Sequence, residues 1–258
     1  MSNSLSKGVA LVTGASSGIG AVYADRLAKR GFDLILVARN EARLTSLSAR
    51  LTSETGRTVK VLRADLSNKA DLAKVEAILR DDPNITILVN NAGADVERME
   101  EIISLNITVL TRLTYAAAPA FAARGAGTII NIGSVVDISP ETLNGVYRPS
   151  KVYVIAFSHS LQHGLADKGI RVQTVLIWEK AGIQYENLPA SIVMSTEDIV
   201  DAALVGLDQG KLDTIPGLYD GDEWTRFETA RRALSQPFGN SVPALRYGTG
   251  VRTAKRDN

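Results

Sequence analysis

The sequence contains no cysteine. Disulfides, thiolate nucleophiles and cysteine metal sites are thereby excluded. Excess charge of either sign is also missing. The 29 Lys and Arg residues stand against 28 Asp and Glu, too even a balance for a nucleic-acid platform. The mildly basic "VRTAKRDN" at 251–258 reads as a solvated tail. No apolar stretch reaches the ~20 residues that a membrane helix needs. The opening "MSNSLSKGVALVTG" lacks a charged start followed by a long apolar run. No signal peptide is therefore predicted, and the expected location is the cytoplasm. Without secretion, the "NIT" triplets at Asn84 and Asn106 are not glycosylation sites. Internal repeats, low-complexity segments and inter-domain linkers are absent as well.

What is present suits one α/β domain spanning residues 1–258, with 45% apolar residues to fill a core. Short apolar runs occur at 9–14, 33–38, 58–64, 85–91, 127–134 and 170–177. They are rich in Val, Ile and Leu and do not alternate strictly, as expected of strands buried on both faces. Helical patterns separate them. Ile19, Tyr23, Leu27 and Ala28 share a face in 19–30, and Leu44, Leu47 and Leu51 do so in 41–51. Further helices are predicted at about 69–80, 96–124, 147–168 and 196–209. An amphipathic helix at 222–235 carries Trp224, Phe227 and Leu234. Such alternation predicts a Rossmann-like, doubly wound parallel sheet with helices on both faces.

"TGASSGIG" (13–20) follows the first strand and opens the first helix. Gly14, Gly18 and Gly20 permit a tight turn and the close approach of a pyrophosphate. The helix N-terminus then offers N–H groups and its dipole to the anion. The spacing, Gly-x-x-x-Gly-x-Gly, differs from the commonest dinucleotide fingerprint, and sharp turns need glycine in any case. Its position after the first strand favours the phosphate role. The second strand ends in Ala38 and Arg39, with Arg43 one turn later. An acid there would hold a free ribose 2′-hydroxyl, whereas a basic residue holds a 2′-phosphate, so NADP is expected over NAD. The alternative is that Arg39 is a solvated loop residue.

"YRPSK" places Tyr147 and Lys151 four residues apart, on one face of a helix. Pro149 is acceptable in a first turn, where no helical hydrogen bond is lost. A phenol near an ammonium is pushed toward the phenolate and suits general acid–base work. Such pairs also recur by chance, as a packed ring beside a solvated amine.

Taken together, these segments resemble the classical short-chain dehydrogenases/reductases over about residues 7 to 180. "TGASSGIG" resembles that family's cofactor turn and "NNAG" (90–93) its motif after the fourth strand. "ADL" (64–66) resembles the segment that meets the adenine. Asn106, Ser134, Tyr147 and Lys151 stand in the family's catalytic order. The resemblance implies a cofactor site including Gly14, Ser16, Ser17, Gly18, Ile19, Gly20, Arg39, Asp65, Leu66, Asn91, Ala92, Gly93, Tyr147 and Lys151. It implies that Tyr147 exchanges the proton with a carbonyl or alcohol oxygen and that Lys151 also holds the nicotinamide ribose. Ser134 would hydrogen-bond the substrate oxygen, and Asn106 would hold a water linking Lys151 to solvent. It also implies a homodimer or homotetramer built on the helices at 96–124 and 147–168.

His159 and His163 stand four apart but have no evident third ligand, so no metal is expected. Asp25 and Asp33 read as structural. Two segments depart from the family pattern. After "NNAG" the chain goes almost directly into helix, and after the sixth strand "IWEKAGIQYE" lacks the Pro-Gly and threonine of a nicotinamide-covering loop. Either loops of the chain are missing from these 258 residues or the loops are truly absent. The first is expected, because losing both lids beside an intact Asn-Ser-Tyr-Lys set is odd. If the second holds, a dinucleotide-binding sensor or scaffold becomes the rival reading. A reductase of carrier-bound 3-oxoacyl groups is a further alternative, with Arg148 as a hint of a basic patch. Ile183, Leu188, Ile192 and Met194 are candidates for the substrate pocket.

Overall fold

Each of the six apolar runs becomes a strand in the computed structural model, which describes residues 6–93, 99–135, 145–177, 193–234 and 245–247. The strands are β1 (Val9–Thr13), β2 (Asp33–Ala38), β3 (Val59–Arg63), β4 (Ile85–Asn90), β5 (Gly127–Ser134) and β6 (Ile170–Ile177). A two-residue strand that the sequence did not announce, β7 (Asp213–Thr214), joins the far edge. The order is β3-β2-β1-β4-β5-β6-β7, and every pairing is parallel. The strand order reverses between β1 and β4. In an open α/β sheet that reversal opens a crevice at the carboxyl ends of the strands.

The helices are α1 (Gly18–Lys29), α2 (Glu41–Thr55), α3 (Lys69–Asp81), α4 (Met99–Ile102), α5 (Leu110–Arg124), α6 (Tyr147–Leu165), α7 (Thr196–Asp208) and α8 (Gly221–Ala233). Between α4 and α5 the helix widens into a π-helix over Ile103–Val109. The sheet and α1–α7 lie in one compact unit, Met1–Gly217, and α8 lies in a second, Leu218–Asn258. In α8 the rings of Trp224 and Phe227 stack at 5.2 Å, and Leu234 beyond its end is exposed.

Alternation along the central strands divides the core of the first unit into two layers. Ala10, Val12, Leu36, Val89, Ile130 and Val175 face the layer that holds residues of α1, α2 and α7. Leu11, Ile35, Leu88 and Ile129 face the other, which holds residues of α3 and α5. Both faces of the sheet are thus covered, which is why the strand sequences are continuously apolar.

Charge fixes α1 against its neighbours. Arg26 binds Asp201 of α7 bidentately (Nε–Oδ1 2.6 Å, Nη2–Oδ2 3.0 Å), and Arg30 binds Asp208 in the same way at 2.9 Å. The buried Asp25 accepts from Arg26, Lys29 and Arg50 at 2.8–3.1 Å. Burial alone would raise its carboxyl, but these donors hold it below the ordinary carboxylate value. Asp33 accepts from the Thr58 N–H at 2.8 Å, tying the start of β2 to the start of β3. Among the described residues, no helix is long and apolar enough to cross a membrane.

Candidate active site

The carboxyl ends of β1 to β4 surround a cavity of about 650 Å³. Its lining includes Gly14, Ser16, Ser17, Gly18 and Ile19 from the glycine turn, and Arg39 and Arg43 beyond β2. Asp65 and Leu66 follow β3, and Asn91, Ala92 and Gly93 follow β4. Segments far apart in sequence therefore meet because parallel strands end on one edge.

The turn between β1 and α1 is built for close approach. Gly14 and Gly18 have φ of +65° and +54°, the left-handed region that favours glycine. A Cβ at Gly20 would lie 2.4 Å from the Gly14 carbonyl oxygen and 2.6 Å from Asn91 Nδ2. Gly20 itself is absent from the described lining; its part is to let the helix close against the turn. Among the described residues no side chain caps the N-terminus of α1, and its first turn holds no acid. By contrast, α2, α3 and α7 are capped by Asn40, Asn68 and Ser195. Ser17, Gly18 and Ile19 at this helix start line the cleft, where an anion would satisfy their N–H groups.

Thr13 organises the far side of the turn. Its Oγ1 accepts from the N–H groups of Asn91 and Ala92, both at 3.0 Å, and donates to the Val89 carbonyl at 3.1 Å. Asn91 Nδ2 donates to the Thr13 and Gly14 carbonyls at 3.0 and 3.3 Å. Among the described residues the buried Asn91 Oδ1 has no hydrogen-bond partner, which leaves an acceptor at the cavity wall. Asn90 points the other way, donating to Thr114 and Asn131, and Asn131 donates to Ser158. This buried chain ties β4 to β5, α5 and α6.

Ser134, Tyr147 and Lys151 gather at the same sheet edge but are not in the described cavity lining. Ser134 ends β5, and its Oγ donates to the Ile177 carbonyl at 3.0 Å. Tyr147 is the first residue of α6, so Pro149 falls in the first turn. Lys151 is buried at 6% exposure, and its Nζ donates to the Ile132 carbonyl at 3.1 Å. That ammonium lies 5.9 Å from the centre of the Tyr147 ring. Asn106 sits within the π-helix and is buried. Its Nδ2 donates to Ser150 Oγ at 3.0 Å, and Ser150 Oγ donates to the Tyr147 carbonyl at 2.6 Å. A Cβ on Gly93 would lie 3.0 Å from Asn106 Oδ1, so that glycine lets the β4 exit reach the π-helix.

Several of these contacts were invisible to motif reading. Thr13 and Ser150 look like ordinary polar residues until their partners are seen. Thr196 and Leu105 also line the cavity. Other residues fall elsewhere. Arg148 is buried, so it offers no basic surface patch to an acidic carrier; its position on the inner side of the first turn of α6 is the reason. Met194 packs against the core layer of α1, α2 and α7. His159 Nε2 contacts Asp213 of β7 at 2.9 Å, which gives that histidine a structural place. The stretches after Gly93 and Ile177 that depart from the family pattern, with Ile183, Leu188 and Ile192, run through 94–98 and 178–192, outside the described residues.

The family described as short chain dehydrogenase matches residues 8–177. The bulky-bulky ketone specific alcohol dehydrogenase from Comamonas testosteroni is 41% identical, with a TM-score of 0.87 over 94% of this chain and 99% of its own. A short-chain dehydrogenase from Sphingobium yanoikuyae, solved in complex with NADPH, is 46% identical, with a TM-score of 0.86 over 93% of this chain and 100% of its own. An uncharacterized oxidoreductase of Staphylococcus epidermidis is 33% identical over 177 residues, 65% of this chain and 75% of its own length.

Proposed function

The chain belongs to the short chain dehydrogenase family, oxidoreductases that bind a nicotinamide cofactor, and we propose that it is an NADP-dependent reductase of ketones, reversible toward secondary alcohols. The observation that carries this reading is the cavity at the switch point, where the uncapped turn of α1 lies opposite the Asn91–Gly93 segment with Arg39 and Arg43 on its β2 side. The glycine turn would hold the pyrophosphate, Asp65 and Leu66 the adenine, and Arg39 a 2′-phosphate. The NADPH complex of the Sphingobium yanoikuyae relative supports the choice of NADP. Bound there, the cofactor supplies the hydride for reduction or accepts it in oxidation.

The chain's own part is the proton. Tyr147 would donate its phenolic proton to the carbonyl oxygen in reduction and take it back in the reverse direction. The Lys151 ammonium, 5.9 Å from the Tyr147 ring centre, favours the phenolate left behind. Ser134 would turn its hydroxyl from the Ile177 carbonyl to the substrate oxygen. Asn106 and Ser150, linked at 3.0 Å, would fix the first turn of α6 and hold the water path toward Lys151. The Comamonas testosteroni relative suggests substrates with bulky groups on both sides of the carbonyl.

Self-association as a homodimer or homotetramer belongs to the same proposal. Met99, Ile103 and Tyr115 are exposed along α4 to α5. Next to them the Phe157 ring of α6 lies 6.2 Å from Tyr115 and stacks on Tyr153 at 5.4 Å. The test is turnover of a panel of bulky ketones, followed by loss of NADPH or NADH absorbance. NADPH should be preferred, and Arg39→Asp should move the preference toward NADH. A wild-type preference for NADH, or no oxidation of either cofactor across the panel, would overturn the reading.

A further inference from the structure

Arg39 does not face the cavity alone. Its Nη1 lies 3.7 Å from Glu101 Oε1. Arg39 follows β2, and Glu101 lies in the first turn of α4, on the chain that leaves β4. The contact therefore runs from one flank of the strand-order reversal to the other. Arg39 is 71% exposed and Glu101 24%, so the guanidinium has more room to turn than the carboxylate. The separation exceeds hydrogen-bond length, and the pairing is an electrostatic contact of modest strength.

We propose that Glu101 is a specificity-determining residue that acts through Arg39, competing with a nucleotide 2′-phosphate for the guanidinium. The inference rests on reading Arg39 as the 2′-phosphate partner. A 2′-phosphate that reaches Arg39 must draw it from Glu101 and also tolerate a carboxylate nearby. Both effects weaken binding of the phosphorylated nucleotide, and neither touches a nucleotide with a free 2′-hydroxyl. Glu101 thus keeps the preference for NADP smaller than Arg39 and Arg43 alone would make it.

The test uses fragments in place of the whole cofactor, so that it reads binding without turnover. Adenosine 2′,5′-bisphosphate and 5′-AMP are titrated calorimetrically into wild type, Glu101→Gln and Glu101→Asp. Glu101→Gln should bind the bisphosphate about two- to fivefold tighter, the range of an exposed ion pair, with 5′-AMP affinity unchanged. The gain should shrink at about 1 M salt, where the screening length falls to ~3 Å. Glu101→Asp keeps the charge and should stay near wild type. A Glu101→Gln protein whose bisphosphate affinity is unchanged or weaker overturns the competition. So does an equal gain for 5′-AMP, which would mean a general change in the site. A wild type that does not favour the bisphosphate over 5′-AMP would instead overturn the NADP reading itself.

Discussion

Replacing Thr13 by valine removes one oxygen and keeps the shape of the side chain. Thr13 is 1% exposed, so water cannot readily take the oxygen's place. Its Oγ1 accepts from the Asn91 and Ala92 N–H groups and donates to the Val89 carbonyl. Each buried polar group left unsatisfied costs about 1–3 kcal/mol. Two orphaned N–H groups therefore set a loss of about 2–6 kcal/mol. Ala92 is only half-buried, and water could recover part of its share, which places the expectation at about 2–4 kcal/mol. The same bonds hold the Asn91–Gly93 wall of the cavity, so NADPH affinity should fall with stability. Thr13→Ser keeps the oxygen and should restore most of both. The assay pairs urea denaturation, compared at constant slope, with a fluorescence titration of NADPH. A Thr13→Val protein within about 0.5 kcal/mol of wild type, with unaltered NADPH affinity, would refute this account of the wall.

Other expectations test other parts of the structure. Alanine is the better helix former by about 1 kcal/mol, yet Gly20→Ala should lose NADPH binding, because its Cβ would lie 2.4 Å from the Gly14 oxygen. Retained affinity, with circular dichroism showing an intact fold, would contradict the close-approach role. Acid should loosen α1. Asp201 is held low by its bond from Arg26, and Asp25 is held low because its three donors outweigh burial. Groups with lowered folded values bind fewer protons folded than unfolded. Their stabilisation is present above the ordinary carboxylate value near ~4 and is lost as the pH falls below it. Asp25→Asn should therefore show a shallower loss of stability below about pH 4 than wild type; identical slopes in denaturation titrations would argue against the assignment.

The strands were legible because residues buried on both faces need apolar side chains at every position, as in "DLILVA". β7 was not, since two polar residues added to an edge leave no pattern. Helix 41–51 runs on to Thr55, where a polar tail carries no apolar period to mark it. The widened turn at Ile103–Val109 was hidden because the apolar spacing of α- and π-helices cannot be separated over seven residues. At the site, the glycine turn and the "NNAG" and "ADL" segments were readable as motifs, and the structure gathers them around one cavity. The supports were not readable, because Thr13, Ser150 and Glu101 contact partners distant in sequence. Arg148 shows the converse, a charged residue beside Tyr147 that reads as surface but is buried.

In the proposed reaction Tyr147 carries the proton that accompanies hydride transfer. The decisive measurement is turnover of a reducible ketone by Tyr147→Phe, made together with NADPH affinity. Loss of the phenol should lower turnover by about 10²–10⁴-fold, the usual contribution of a positioned acid–base group, while NADPH still binds. Undiminished turnover in that variant would contradict the claim.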